Sequence, residues 1–221
     1  MADNDITPNL TSDEAPKDLP TGLARLQTAA RKAGTGNASG MPPVHLWNPP
    51  YCGEIGLRIA ADGVWFYQGS PIGRMPLVKL FASILRKDPD RYVLVTPVEM
   101  IGIEVEDAPF LAVELQQRES DGKTVLAFRT NVDDWVEVDA DHPLRFERGH
   151  SDGIKPYVRV RGNLWALVKR ALLYDLVELG IMRDIDGIEM FGIESGGEFF
   201  AIALAAEMND LEQGNGTAAS A

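Results

Sequence analysis

Three stretches of this chain coincide at a single offset of 90 residues: Leu77-Val78-Lys79 with Leu167-Val168-Lys169, Glu99 to Glu104 (EMIGIE) with Glu189 to Glu194 (EMFGIE), and Phe110 with Phe200. One undisturbed offset for all three indicates an internal duplication. Each copy reads as strands, then a helix, then strands. The fold class is therefore α+β: two related repeats, each a helix packed on an antiparallel sheet. Two copies side by side create an interface, and clefts between domains commonly hold ligands, so the junction is the first place to look for a site.

Local patterns divide the chain further. Residues 1–20 are polar and proline-bearing, and 209–221 (NDLEQGNGTAASA) are small and polar; both read as disordered tails that cannot bury enough surface to offset ordering entropy. Residues 21–40 read as a short peripheral helix, TGLARLQTAARKAG, followed by the flexible link TGNASG. The first α+β repeat is assigned to 41–120 and the second to 121–208. In the first, Asp62-Gly63 marks a hairpin turn, and MPLVKLFASILRK has helical spacing closed by Pro89. Short β-rich runs follow at Tyr92–Val95, Met100–Val105, Phe110–Leu115, Thr124–Thr130 and Trp135–Val138, which read as a meander. The second repeat opens with PLRFER and PYVRVRG, continues through one long apolar helix, LWALVKRALLYDLVELG, and ends in the strands IEMFGIE and EFFAIALA.

Charge and composition limit the function classes. The formal net charge of -12 repels phosphate backbones and anionic membranes, which argues against nucleic acid as a partner. No run approaches the roughly 20 apolar residues of a membrane-spanning helix, and the acidic start is unlike a secretory signal, so the expected location is the cytoplasm. A single cysteine, Cys52, cannot form an internal disulfide. Against the acidic background, the stretch from Asp141 to Arg170 carries seven basic and three acidic residues. It reads first as a solvated basic face and second as a local anion site.

The chemistry-bearing motifs are sparse. One cysteine and three scattered histidines lack zinc spacing, and NVDDWVEVDADH lacks the glycine and terminal glutamate of a calcium loop, so no metal is expected. GSPIGR is not a phosphate fingerprint, and no cofactor is expected. Glu104 and Glu106 fall on the solvent face of a half-buried strand. Arg159 and Arg161 project from one face of PYVRVRG, where two guanidinium groups can clamp an anion or stay in water.

The run from Trp47 to about Ala201 resembles a bacterial family, domain of unknown function 1285, through WNPPYCG, DGVWFYQGSPIGR, LVTPVE, IEVEDAPF, FRTN and RGNLWALVKRALLYDLV. The resemblance implies two similar α+β repeats, the second pleckstrin-homology-like, with a ligand suspected between them and a role in signalling. It implies no reaction.

The leading function is then a binding module that holds a small anionic or polar ligand, or a peptide segment of a partner, between its halves. Candidate ligand-binding residues are Arg74, Glu99, Arg129, Asn131 and Arg161, with Cys52 beside them in a loop; Arg129 would pair an acidic group and Asn131 orient it. The alternative is a cysteine-dependent enzyme with catalytic Cys52, one of His45, His142 and His150 as base, and an arginine for the developing anion. An exposed sheet edge would support a homodimer.

Overall fold

A computed structural model describes residues 20–34, 40–149 and 153–205. The proposed tails apart from Pro20, most of the TGNASG link and His150 lie outside these residues. The first helix, α1 (Thr21–Gly34), spans the residues its periodicity indicates. It is not peripheral, however: Leu23, Leu26 and Ala30 are buried in the main core.

The first sheet is built from β1 (Tyr51–Ile59), β2 (Trp65–Tyr67), β3 (Ser70–Pro71), β4 (Leu85–Lys87), β5 (Tyr92–Val95) and β6 (Met100–Val105), with α2 (Met75–Ser83) between β3 and β4. The β1–β2 hairpin turns at Gly63, whose φ of +80° suits a residue without a side chain. Asp62 Oδ1 accepts the Val64 N–H at 3.0 Å, completing the turn. Helix α2 buries Leu77, Val78, Phe81 and Ala82 against this sheet, with the Phe81 ring centroid 6.3 Å from that of Trp65. The apolar periodicity of MPLVKLFASILRK predicts a longer helix. It stops at Ser83 because Leu85–Lys87 is taken up by β5, with Leu85 opposite Leu94. Sheet pairing and full burial of Leu85 override the helical pattern.

The second sheet contains β7 (Phe110–Ser120), β8 (Lys123–Thr130), β9 (Trp135–Glu137), β10 (Leu144–Arg148), β11 (Ile154–Arg161) and β12 (Leu164–Val168). The single long helix expected across LWALVKRALLYDLVELG is a strand and then a helix, α3 (Arg170–Glu178). Leu164, Ala166 and Val168 are buried while Trp165 and Leu167 are less so, a period of two that matches β12. Parallel pairing with β7, Ala166 opposite Phe110, makes that segment a central strand. A third sheet of β13 (Gly180–Ile185), β14 (Ile188–Ser195) and β15 (Glu198–Leu204) follows α3. The buried Ser195 hydroxyl fastens it to the second sheet, accepting the Leu126 N–H at 2.9 Å and donating to the Val138 carbonyl at 2.7 Å.

The duplication is plain in the strand order. The first sheet runs β3-β2-β1-β6-β5-β4, and the second, read in the same sense, runs β9-β8-β7-β12-β11-β10. Each is two antiparallel meanders joined by one parallel pair, β1 with β6 and β7 with β12. The 90-residue correspondence does not follow this relation: Leu77 to Lys79 lie in α2, whereas Leu167 and Val168 end β12. The two sheets share one core that runs from Leu26 and Trp65 to Phe110, Phe128 and Leu176.

Candidate functional site

The segment 41–47, ahead of β1, reaches the junction of the two sheets and there forms a wall. Pro42 and Pro43 have no N–H to give, and the Val44 N–H is spent on the Pro42 carbonyl at 2.8 Å. Arg86, on β4, holds this wall: its Nη1 donates to the carbonyls of Val44 at 2.8 Å and Trp47 at 2.6 Å. Both Asp88 carboxylate oxygens accept from the same guanidinium, at 2.6 and 3.0 Å. Opposite stands the β11–β12 turn, Arg161 to Leu164.

Between wall and turn lies a cavity of about 680 Å³, open to solvent and lined from both halves. Leu85 and Leu164 contribute apolar floor. Four cations line it, Arg86 and Lys87 from the first sheet and Arg159 and Arg161 from the second, and His45 joins them. No aspartate or glutamate is among the described lining residues. In a chain of net charge -12 this places four cations in a concave, largely apolar setting, two of them paired with Asp88 and Asp134 outside the lining.

The four cations have different employment. Arg161 Nη2 donates to the Ala82 carbonyl at the end of α2 at 2.6 Å, Nη1 reaches Asp134 Oδ2 at 3.3 Å, and the guanidinium lies 5.1 Å from the centre of the Phe110 ring. Burial pulls its pKa below the ordinary arginine value, with Asp134 acting against that shift. Arg161 and Arg86 thus brace the walls. Arg159 gives only Nε, to the Gly162 carbonyl at 2.6 Å, and its Nη groups make no hydrogen bond to the described residues. Lys87 stands over the Tyr92 ring at 4.4 Å and has no carboxylate partner among those residues.

Of the residues named from sequence, Arg161, Arg159 and His45 line the cleft, and Cys52, Arg74, Glu99, Arg129 and Asn131 do not. Three of them, Arg129, Asn131 and Arg161, converge on the segment Arg129 to Asp134. Arg129 bridges Glu114 at 2.7 Å and Asp133 at 2.8 Å, and Asp133 also takes Lys79 of α2, so this network ties α2 to the second sheet. Asn131 Oδ1 accepts the Leu111 N–H at 3.0 Å. Its Nδ2 packs beside Gly63, where an added Cβ would sit 2.9 Å away. Both residues therefore fasten the two halves together. Glu99 is buried and paired with Arg25 of α1 at 3.1 Å. Arg74 precedes α2, its carbonyl accepting from Leu77 and Val78. Cys52 is exposed, its thiol directed to the Pro50 carbonyl at 3.5 Å. His45 stands in the cleft and His142 bonds Asp139.

A second polar cluster spans the junction. Asp107, in the connection between sheets, accepts Lys155 Nζ at 2.6 Å and Tyr157 Oη at 2.7 Å. Burial pushes its carboxyl up, and these two hydrogen bonds with Arg145 nearby outweigh burial and hold it below the usual carboxylate range. The Tyr157 hydroxyl is raised in turn by burial and by the same bond. Arg145 lies over both Tyr157 and Trp165, 4.9 and 4.3 Å from their ring centres. The basic stretch from Asp141 to Arg170 is thus divided: Lys155 is paired with Asp107, Arg145 stacks on aromatic rings, and Arg159 and Arg161 enter the cleft. Sequence reasoning missed Arg86 and Lys87 because ILRK reads as the tail of a helix rather than as β4.

Among the described residues, no group of three His, Cys, Asp or Glu side chains could hold a metal ion, and no helix is long and apolar enough to cross a membrane.

These features define a two-domain α+β protein whose paired six-stranded sheets meet at a cation-lined cleft. Residues 42–108 match the N-terminal domain, and residues 109–202 the C-terminal domain, of the DUF1285 proteins of unknown function. The chain belongs to the DUF1285 family. It is similar to the crystal structure of a DUF1285 family protein from Silicibacter pomeroyi DSS-3, with 43% identity and a TM-score of 0.72 over 83% of this chain and 97% of that one. A DUF1285 family protein from Shewanella baltica OS155 is 31% identical, with a TM-score of 0.46 over 56% of this chain and 91% of its own. Comparison with curated proteins gives no match.

Proposed function

We propose that this protein binds a small anionic or polar ligand, or a peptide segment of a partner, in the cleft between its two sheets. Occupancy would change how the halves pack and serve signal transduction in the cytoplasm. The observation that carries this reading is the pair Lys87 and Arg159. They come from opposite sheets, line one cavity, and have no carboxylate partner among the described residues. An anion held between them would link the halves directly. Arg161 belongs to the same site as a brace. Arg74, Glu99, Arg129 and Asn131 act at one remove, by holding the helices and sheets that form the walls.

The test is thermal unfolding against a panel of metabolite anions. A ligand at 100 times its dissociation constant stabilises the folded state by about 2.7 kcal/mol. The expected result is a shift for at least one compound in the native protein that is lost in Arg159→Ala. No shift with any compound, or a shift that survives both Arg159→Ala and Lys87→Ala, would overturn the proposal.

A further inference from the structure

We infer, resting on the binding reading above, that the cleft is built for an amphipathic carboxylate: one anionic head on Arg159 and Lys87, and an apolar body against the proline wall and the leucine floor. The hydrogen bonding that the walls have left to offer limits what can bind. Arg86 and Arg161 spend their guanidinium groups on backbone carbonyls and on Asp88 and Asp134. What remains for an anion is the free end of Arg159 and the ammonium of Lys87. Two cations lining one cavity from opposite sheets, one of them a planar guanidinium fork, suit a single carboxylate head.

The rest of the lining cannot satisfy a ligand rich in hydroxyl or amide groups. Pro42 and Pro43 supply no donors, and the Val44 N–H is taken by Pro42. Ser83 Oγ already donates to the Leu80 carbonyl at 2.7 Å. Leu85 and Leu164 offer only hydrocarbon, leaving Asn163 and His45 as the uncommitted polar side chains. A sugar or nucleotide placed here would lose water from many polar groups and find few partners, a cost of roughly 1–3 kcal/mol for each group left unsatisfied. An alkyl or aromatic body loses nothing of that kind and gains from leaving water. The cavity of about 680 Å³ accommodates such a molecule.

Calorimetric titration of the full chain with decanoate, 1-decanol and inorganic phosphate separates the alternatives. The expected result is saturable binding of decanoate, weakened about tenfold or more by Arg159→Ala or Lys87→Ala through loss of a charge-assisted bond. Decanol should bind far more weakly than decanoate. Asn163→Trp, which keeps every cation and fills the cavity from an exposed turn, should block decanoate while circular dichroism stays native. Equal binding of decanol and decanoate, or decanoate binding unchanged by all three variants, would overturn the inference. Phosphate binding through Arg159 without decanoate binding would overturn the ligand class and leave the anion site standing. Binding of none of the probes, together with no response in the metabolite panel, would overturn both.

Discussion

Tyr157 donates its hydroxyl to Asp107 at 2.7 Å, joining the second sheet to the segment that connects it with the first. Lys155 reaches the other carboxylate oxygen. Asp107 therefore ties the connection between the halves to β11, the strand that also delivers Arg159 and Arg161 to the cleft. Asp107→Ala removes two charge-assisted bonds and strands the Tyr157 hydroxyl. It should cost about 1–3 kcal/mol in urea unfolding. A loss below the error of that measurement would mean the cluster is ornamental to the junction.

Acid should weaken the junction in a defined direction. Asp107, Asp133 and Glu114 all have carboxyl values held low in the folded state, the last two chiefly by hydrogen bonds from Lys79 and Arg129 respectively. Carboxylates of this kind contribute stability above their unfolded value, about 3.9 to 4.3, and lose it as pH falls through the folded one. The midpoint of unfolding should hold near neutrality and decline below about pH 4. Asp107→Asn should flatten that decline; an unchanged slope would contradict the assignment.

The contact of Asn131 with Gly63 and Leu111 ties the first hairpin to the second sheet. Asn131→Ala leaves the Leu111 N–H without its acceptor and should cost about 1–2 kcal/mol. Gly63→Ala places a Cβ 2.9 Å from both Asn131 Nδ2 and Leu111 Cδ1 at a φ of +80°. It should be destabilised by at least about 1 kcal/mol. Thermal melts of both variants check this, and native stability in Gly63→Ala would refute the packing described.

Cys52 lies outside the cleft lining, exposed on β1. Cys52→Ser should leave both anion affinity and the unfolding midpoint unchanged, as read by the same titration and melt. Loss of binding in that variant would move the site toward β1 and revive the cysteine-based chemistry considered from sequence.

Much of the architecture could be read from local signals. The strands Tyr92–Val95 and Met100–Val105, the Asp62-Gly63 hairpin and helix α1 follow directly from residue type and periodicity. The two overlong helices read from sequence share one physical origin. Leu85–Lys87 and Leu164–Val168 continue helical patterns, yet each becomes a strand because a distant partner, β5 or β7, completes a buried sheet there. Non-local pairing of that sort leaves no mark in a short window. The same misreading hid Lys87, and with it half of the cleft. Arg129 and Asn131 read from sequence as ligand-binding polar groups at a strand end; in the structure they clamp the junction. Arg161 was legible through its alternation with Arg159 on β11, although its task is to brace α2 through the Ala82 carbonyl.

The most direct measurement is the anomalous scattering of crystals soaked in sodium bromide. A bromide peak is expected in the cleft between Lys87 and the free end of Arg159, absent in the Lys87→Ala, Arg159→Ala double variant. Bromide sites elsewhere on the surface with none in the cleft of the native protein would contradict it.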